Sequence, residues 1–327
     1  MPTVSLAVVS FLIAGTLLAQ EIQTEDPGYA VSVDVQLVQL PVSVLDKEGR
    51  PVGGLQKEDF QIFEDGVQQE ISLFKHEDIP ISVGLLIDNS ASMRNKRERV
   101  NSAALTFARE SNPEDETFIV NFDDAAYLEQ DFTNNISDLV DTLAYLDTNG
   151  QTALYDALYL SAEHLNAGTK DKKTLLLISD GEDNVSKYSL DKILTKLRRS
   201  KATVYVIGLF DENGPAGSHL VQSPSRKSRE DLERIAKTTG GRAYFPKSID
   251  EVAELCKRIA HDLRNHYTLG YTPSNRKLDG SWRKITVDLN RPKQISKVTI
   301  RTKDGYYAPK GHGAPRSISG LSPPGAF

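Results

Sequence analysis

Four stretches of this chain are almost uninterrupted apolar sequence, and segments of helical spacing lie between them. Ile81-Ser82-Val83-Gly84-Leu85-Leu86-Ile87 runs into Asp88, and similar runs occupy Thr117–Phe122, Thr174–Ile178 and Thr203–Phe210. A strand that is apolar at nearly every position has both faces buried, as strands of a parallel sheet covered by helices do. The intervening segments Val100–Ala108, Ala153–Leu165 and Leu190–Leu197 repeat apolar residues at helical intervals. Strands alternating with helices predict an α/β fold, a doubly wound and mostly parallel sheet of Rossmann-like type. Two later helices are predicted at Arg229–Thr238 and Ile249–Arg264; between them Gly240-Gly241 acts as a stop before a short strand, Arg242–Phe245.

Both flanks of this core have β character. Apolar residues alternate from Val31 to Val44, and Phe60–Phe63 and Gln69–Phe74 flank Glu64-Asp65-Gly66, a hairpin signal. After His266 the segments Tyr267–Tyr271, Ile285–Leu289 and Val298–Thr302 read as strands, with turns at Asp279-Gly280 and Asp304-Gly305. Short β segments are marginal alone, so the two flanks are expected to pair into one smaller β-rich module with the α/β domain inserted between them. The expected order is a signal peptide (1–19), a linker (20–30), a β-rich segment (31–78), the α/β domain (80–266), a second β-rich segment (267–309) packing on the first, and a disordered tail (310–327) rich in Gly, Pro and Ser.

The signal peptide is read from Val4–Leu18, an apolar, uncharged stretch followed by Gln20-Glu21, with Ala19 as the small residue before the cut. An uncleaved anchor or a buried helix is the competing reading. The stretch is short for a membrane span, and none is expected in the mature chain. Export to the periplasm, cell surface or extracellular space follows as an expectation. The single Cys256 rules out an internal disulfide, and its apolar helical neighbours give it a core position. A net charge of -6 without a long basic run gives no basis for binding nucleic acid or anionic lipid.

The chemistry concentrates where buried strands end. Asp88-Asn89-Ser90-Ala91-Ser92 follows one strand, Ile178-Ser179-Asp180-Gly181-Glu182 closes another, and Gly150-Gln151-Thr152 opens a helix. The carboxyl rim of an open α/β sheet is where ligands bind. Taken singly, Thr152 reads equally as a helix N-cap and Asp180 as a turn residue. Taken together, Asp88, Ser90, Ser92, Thr152 and Asp180 resemble the metal-ion-dependent adhesion site of von Willebrand factor type A domains, a likeness that spans Ile81 to His266. The flanks add Gly54-Leu55, Glu58-Asp59-Phe60, Glu64-Asp65-Gly66, Tyr267-Thr268-Leu269-Gly270-Tyr271 and Gly305-Tyr306-Tyr307, which look like the VWFA-related acidobacterial domain family of exported bacterial proteins.

The resemblance implies that Ser90 and Ser92 bind a metal directly, that Thr152 binds directly or through water, and that Asp88 and Asp180 act largely through water. Such a set of hard oxygen donors suits Mg²⁺ or Mn²⁺ in preference to Ca²⁺. It also implies a protein partner whose Asp or Glu completes the coordination sphere. Asp183 and Asp123-Asp124 are read as solvated loop acids, and the polar loop Asp211–Ser228 reads either as a contributor to partner selection or as an untethered surface insertion. None of the six His residues shows H-E-x-x-H spacing, and neither a G-x-S-x-G elbow nor a phosphate-binding G-x-x-x-x-G-K-[ST] loop is present. The expectation is an exported, metal-dependent, non-enzymatic protein-binding module of adhesion type. Its rivals are a metal-independent envelope scaffold that works through its β flanks and a metal-dependent hydrolase.

Overall fold

The computed structural model describes residues 37–76, 78–145, 150–210, 224–290 and 298–310, all within one unit, Val35–Phe327. The expected signal peptide and linker, the start of the first β segment, residues 211–223 of the polar loop and residues 311–327 of the tail lie outside the described residues. The chain begins with β1 (Val38–Leu45), β2 (Phe60–Glu64), β3 (Val67–Gln69) and β4 (Ile71–Lys75). Strands and helices then alternate: β5 (Ile81–Asp88), α1 (Arg97–Glu110), β6 (Glu116–Phe122), β7 (Ala126–Thr133), α2 (Ile136–Tyr145), α3 (Leu154–His164), β8 (Lys172–Ser179), α4 (Leu190–Arg199) and β9 (Ala202–Gly208). There follow α5 (Pro224–Thr238), β10 (Ala243–Tyr244), α6 (Val252–Arg264), β11 (Tyr267–Tyr271), β12 (Trp282–Leu289), β13 (Thr299–Arg301) and β14 (Gly305–Tyr307).

Among the described residues the central sheet has six strands in the order β10-β9-β8-β5-β6-β7. All neighbours are parallel except β6 and β7. Successive side chains of these strands point to opposite faces and serve two cores. Val83, Leu85, Ile87, Leu176, Ile178 and Ile207 pack with α1, α2 and α6. Leu86, Phe118, Leu175, Leu177, Val204 and Val206 pack with α3, α4 and α5. The near-continuous apolar strands therefore reflect helices on both faces. Local rules agree: α4 starts at Ser189, whose side chain accepts the Lys192 N–H, buries Ile193, Leu194 and Leu197, and ends on basic residues that complement its dipole.

The flanks build two four-stranded antiparallel sheets, β13-β1-β11-β4 and β14-β12-β2-β3. Each mixes strands from before and after the α/β core, with Leu40 opposite Leu269 and Ile62 opposite Val287. The sheets share one apolar core containing Leu40, Val42, Phe60, Ile62, Leu269 and Val287. The expected hairpin forms between β2 and β3, where Asp65 (φ 48) and Gly66 (φ 83) both take the left-handed conformation that a tight two-residue turn requires. Gln69–Phe74, read above as one strand, is instead divided between β3 and β4, which belong to different sheets. Among the described residues no helix is long and apolar enough to cross a membrane.

Candidate metal centre

The order of the central sheet reverses at β5, whose chain successors lie on both sides of it: β6 on one, β8 on the other. A crevice at the carboxyl ends of strands is expected at such a switch point. Ile87 lies opposite Ile178, so Asp88 ends β5 beside Ser179 and Asp180 at the end of β8. The Ser179 hydroxyl donates to Asp88 Oδ2 at 2.5 Å and accepts the Gly181 N–H at 2.9 Å. The Ser90 N–H donates to Asp88 Oδ1 at 3.0 Å, which turns the chain so that the Ser90 and Ser92 hydroxyls lie 3.1 Å apart.

Thr152 is held between these two strand ends. Gly150 accepts the Ala91 N–H at 3.2 Å, which ties its loop to the serines. The Thr152 N–H donates to Asn184 Oδ1 at 2.9 Å, and its carbonyl accepts the Asn184 N–H at 3.1 Å, which ties the same loop to the segment after Asp180. The N-cap of α3 is Ala153, with no side-chain capping bond, so the Thr152 hydroxyl does not cap the helix. The Tyr155 N–H near the start of α3 is met by Asp183 Oδ1 at 3.2 Å and Ser186 Oγ at 3.0 Å. Asp180 keeps part of its turn character, since Oδ1 accepts the Glu182 N–H at 3.4 Å. Asp88, Ser90, Thr152 and Asp180 are buried, while Ser92 is exposed.

The acids read as solvated are mostly structural. Asp183 is half-buried and bonds both Tyr155 and Ser186, Asp123 Oδ1 accepts the Ala125 N–H at 3.3 Å while its main-chain carbonyl accepts the Ala153 N–H, and Asp124, exposed as expected, accepts the Gln151 N–H on Oδ1 at 2.8 Å. They brace the Thr152 loop because its backbone donors have no helix or sheet to satisfy them. Sequence reasoning also passed over Ser179 and Asn184 as bracing residues. The signal for Ser179 was its position, a hydroxyl at the end of a buried strand directly before Asp180.

The Lys96 ammonium lies at this rim, donating to the Leu209 carbonyl at 3.1 Å. Burial, and next the neighbouring Asp180 carboxylate, push the Asp88 carboxyl up to about 6, against hydrogen bonds from Ser179 and Ser90 that favour its ionised form. Among the described residues neither Asp88 nor Asp180 has an ion-pair partner. Asn89, also buried, has no hydrogen-bond partner among the described residues for either side-chain polar atom, and neither has Asn121 Oδ1 near the end of β6. Two close acids, a pair of hydroxyls 3.1 Å apart, a buried threonine and orphaned amides are oxygen donors of the kind a hard divalent cation with retained water takes. Among the described residues no group of three or more His, Cys, Asp or Glu is arranged to hold a metal. The set at this rim is of another kind, with hydroxyls supplying most of its donors.

Residues 83–182 match a family model described as von Willebrand factor type A domain. No curated protein matches the chain in sequence. Similar solved structures include a von Willebrand factor type A protein from Catenulispora acidiphila, at 14% identity and TM-score 0.47 over 71% of this chain and 51% of that one. An aerotolerance-related membrane protein from Bacteroides fragilis aligns at 16% identity and TM-score 0.46, over 56% of this chain and 98% of its own. The PilB minor pilin from Streptococcus sanguinis aligns at 14% identity and TM-score 0.43, over 57% and 62%. The chain thus spans about half the length of the first of these structures.

Proposed function

We propose, from the premise that this chain carries a von Willebrand factor type A domain, that it binds a protein partner through a divalent cation held at the carboxyl rim of its central sheet. The observation that carries the reading is a pair of buried acids at adjacent strand ends, without an ion-pair partner among the described residues, beside the Ser90 and Ser92 hydroxyls and a Thr152 loop tied by hydrogen bonds to both neighbouring segments. The hydroxyls of Ser90, Ser92 and Thr152 would hold the ion, and Asp88 and Asp180 would orient its waters. When bound, Mg²⁺ or Mn²⁺ supplies an electron-poor centre with room for an oxygen from outside. An Asp or Glu of the partner is the matching ligand, because mainly neutral donors leave positive charge uncompensated.

The sequence has no H-E-x-x-H spacing, G-x-S-x-G elbow or G-x-x-x-x-G-K-[ST] loop, which supports binding over catalysis. Export rests on the apolar stretch Val4–Leu18. The test is affinity capture with the protein in Mg²⁺ and in chelator, beside a Ser90→Ala/Ser92→Ala variant. Partner retention in Mg²⁺ alone, abolished in the variant, is the expected result. Retention that ignores chelator and variant alike would overturn the metal bridge and favour a scaffold acting through its β flanks. Metal-dependent hydrolysis of generic ester, peptide or phosphate substrates, lost in Asp88→Ala, would overturn the non-enzymatic reading.

A further inference from the structure

A second concave feature lies at the opposite rim, where the amino ends of β9 and β10 meet the carboxyl-terminal flank. It is a cleft of about 540 Å³ whose lining includes Arg242, Arg301, Lys303, Glu233, Val287 and Ile300. The cleft exists because α5 ends at Thr238 and the chain turns through Gly240-Gly241 into β10, while β13 runs into Thr302 and Lys303 across from that turn. Its volume falls within the range of about 300–1,000 Å³ common to small-molecule sites, and its wall carries apolar groups, the cations Lys237, Arg242, Arg301 and Lys303, and the acids Glu233 and Asp304, the latter paired with Arg198.

The cations are undercompensated. The nearby ion pairs join Arg198 to Asp304 at 3.4 Å and Arg229 to Glu233 at 3.5 Å. Among the described residues Arg242, Arg301 and Lys303 have no carboxylate within 4.0 Å. The Arg242 guanidinium lies over the Tyr244 ring at 4.6 Å, an arrangement that fixes its plane. Lys303 Nζ donates to the Ser200 carbonyl at 2.5 Å, so its charge is positioned but not neutralised. Thr302 Oγ1 is buried and has no hydrogen-bond partner among the described residues. Asp262 is an acid felt by both arginines, and its Oδ2 takes the Tyr244 hydroxyl at 3.1 Å. Burial, then repulsion from Arg242, lowers the Arg301 pKa, and burial, then Lys201, lowers that of Lys303 to about 8. In both cases burial is the largest cause, so the shifts mark cations held out of water.

We propose that this cleft binds a small organic anion through a carboxylate or phosphate group, with Arg242 and Arg301 as the recognising forks and Lys303 as a fixed supporting charge. Planar guanidinium pairs match the two-oxygen edge of such groups, and the partly exposed Ile300 offers an apolar contact for a short carbon skeleton. The site is separate from the metal centre and does not depend on it.

The test is calorimetric titration of the full chain, dialysed free of divalent ions, with succinate, inorganic phosphate, and sodium chloride at matched ionic strength. Saturable binding of succinate or phosphate beyond chloride is expected, and the stronger of the two identifies the group recognised. Arg301→Gln should weaken it about tenfold, the scale of a lost charge-assisted hydrogen bond. Glu233→Gln, at an exposed position that leaves the fold intact, should tighten it about two- to threefold by removing a repelling charge. Indifference of both anions relative to chloride would overturn the proposal, as would equal affinities in wild type, Arg301→Gln and Glu233→Gln. Should Arg301→Gln fail to fold, the direction of the Glu233→Gln effect decides.

Discussion

The Ser179 hydroxyl donates to Asp88 Oδ2 at 2.5 Å, joining the ends of two adjacent parallel strands at the rim where the candidate ligands meet. Asp88 is thereby fixed in place by a neighbour that is not itself a candidate ligand. Its other oxygen is fixed by the Ser90 N–H. The carboxylate therefore stays oriented toward the rim when no ion is present.

Ser179→Ala leaves a buried carboxylate oxygen short of its donor. Denaturant unfolding of the metal-free protein should show a loss of about 1–3 kcal/mol. Mg²⁺ affinity should fall by about tenfold, as for other supports of metal ligands. Unchanged affinity would detach Asp88 from metal binding.

Thr152→Val separates ligand from cap. Because Ala153 occupies the N-cap of α3, loss of the Thr152 hydroxyl should cost less than about 1 kcal/mol of metal-free stability, the usual value of a cap. Mg²⁺ affinity should drop by about tenfold or more. The reverse pattern, lower stability with unchanged affinity, would return Thr152 to a structural role.

The parts of the molecule legible in the sequence were those where one physical rule acts alone. Ile81–Ile87 read as a doubly buried parallel strand because it is one, and Asp88, Thr152 and Asp180 could be placed because strand ends and a helix start were legible. Ala126–Thr133 escaped notice: β7 pairs only along β6, antiparallel at the sheet edge, and its exposed Tyr127, Leu128 and Glu129 break any alternation. The split of Gln69–Phe74 around Glu70 was invisible because each half is extended and only tertiary pairing assigns it to a sheet. Bracing by Asp183 and Asn184 was hidden for a related reason, since a solvated loop Asp or Asn and one that meets a backbone donor look alike until that donor is known.

Each flank depends on the other. Ending the chain after Tyr271 removes β12, which pairs with β2, and β13, which pairs with β1. Limited proteolysis should then cut the region 37–75 at sites protected in the full chain, while the α/β core resists. Full protection of that region in the truncated protein would contradict the shared sheets.

His266 sets a pH dependence. It is buried with its Nε2 2.9 Å from the Tyr205 hydroxyl, and burial, then the Lys172 charge, pushes its pKa down to about 3. In the unfolded chain the value is about 6.5, so below that pH the unfolded state takes up the proton first. Its contribution to stability is whole above pH ~6.5 and is lost at about 1.4 kcal/mol per unit as pH falls toward ~3. Between pH ~7 and ~4.5 the wild type should lose about 2–3 kcal/mol more than His266→Gln in denaturant titrations. Parallel curves for the two proteins would contradict this assignment.

Electron paramagnetic resonance with Mn²⁺ tests the metal centre most directly, read with and without ¹⁷O-labelled acetate as a surrogate for a partner carboxylate. The account predicts one tightly held ion per chain, line broadening by the labelled acetate, and loss of both signals in Ser90→Ala/Ser92→Ala. Failure of the folded wild type to bind Mn²⁺, or binding that the double variant leaves intact, would contradict it.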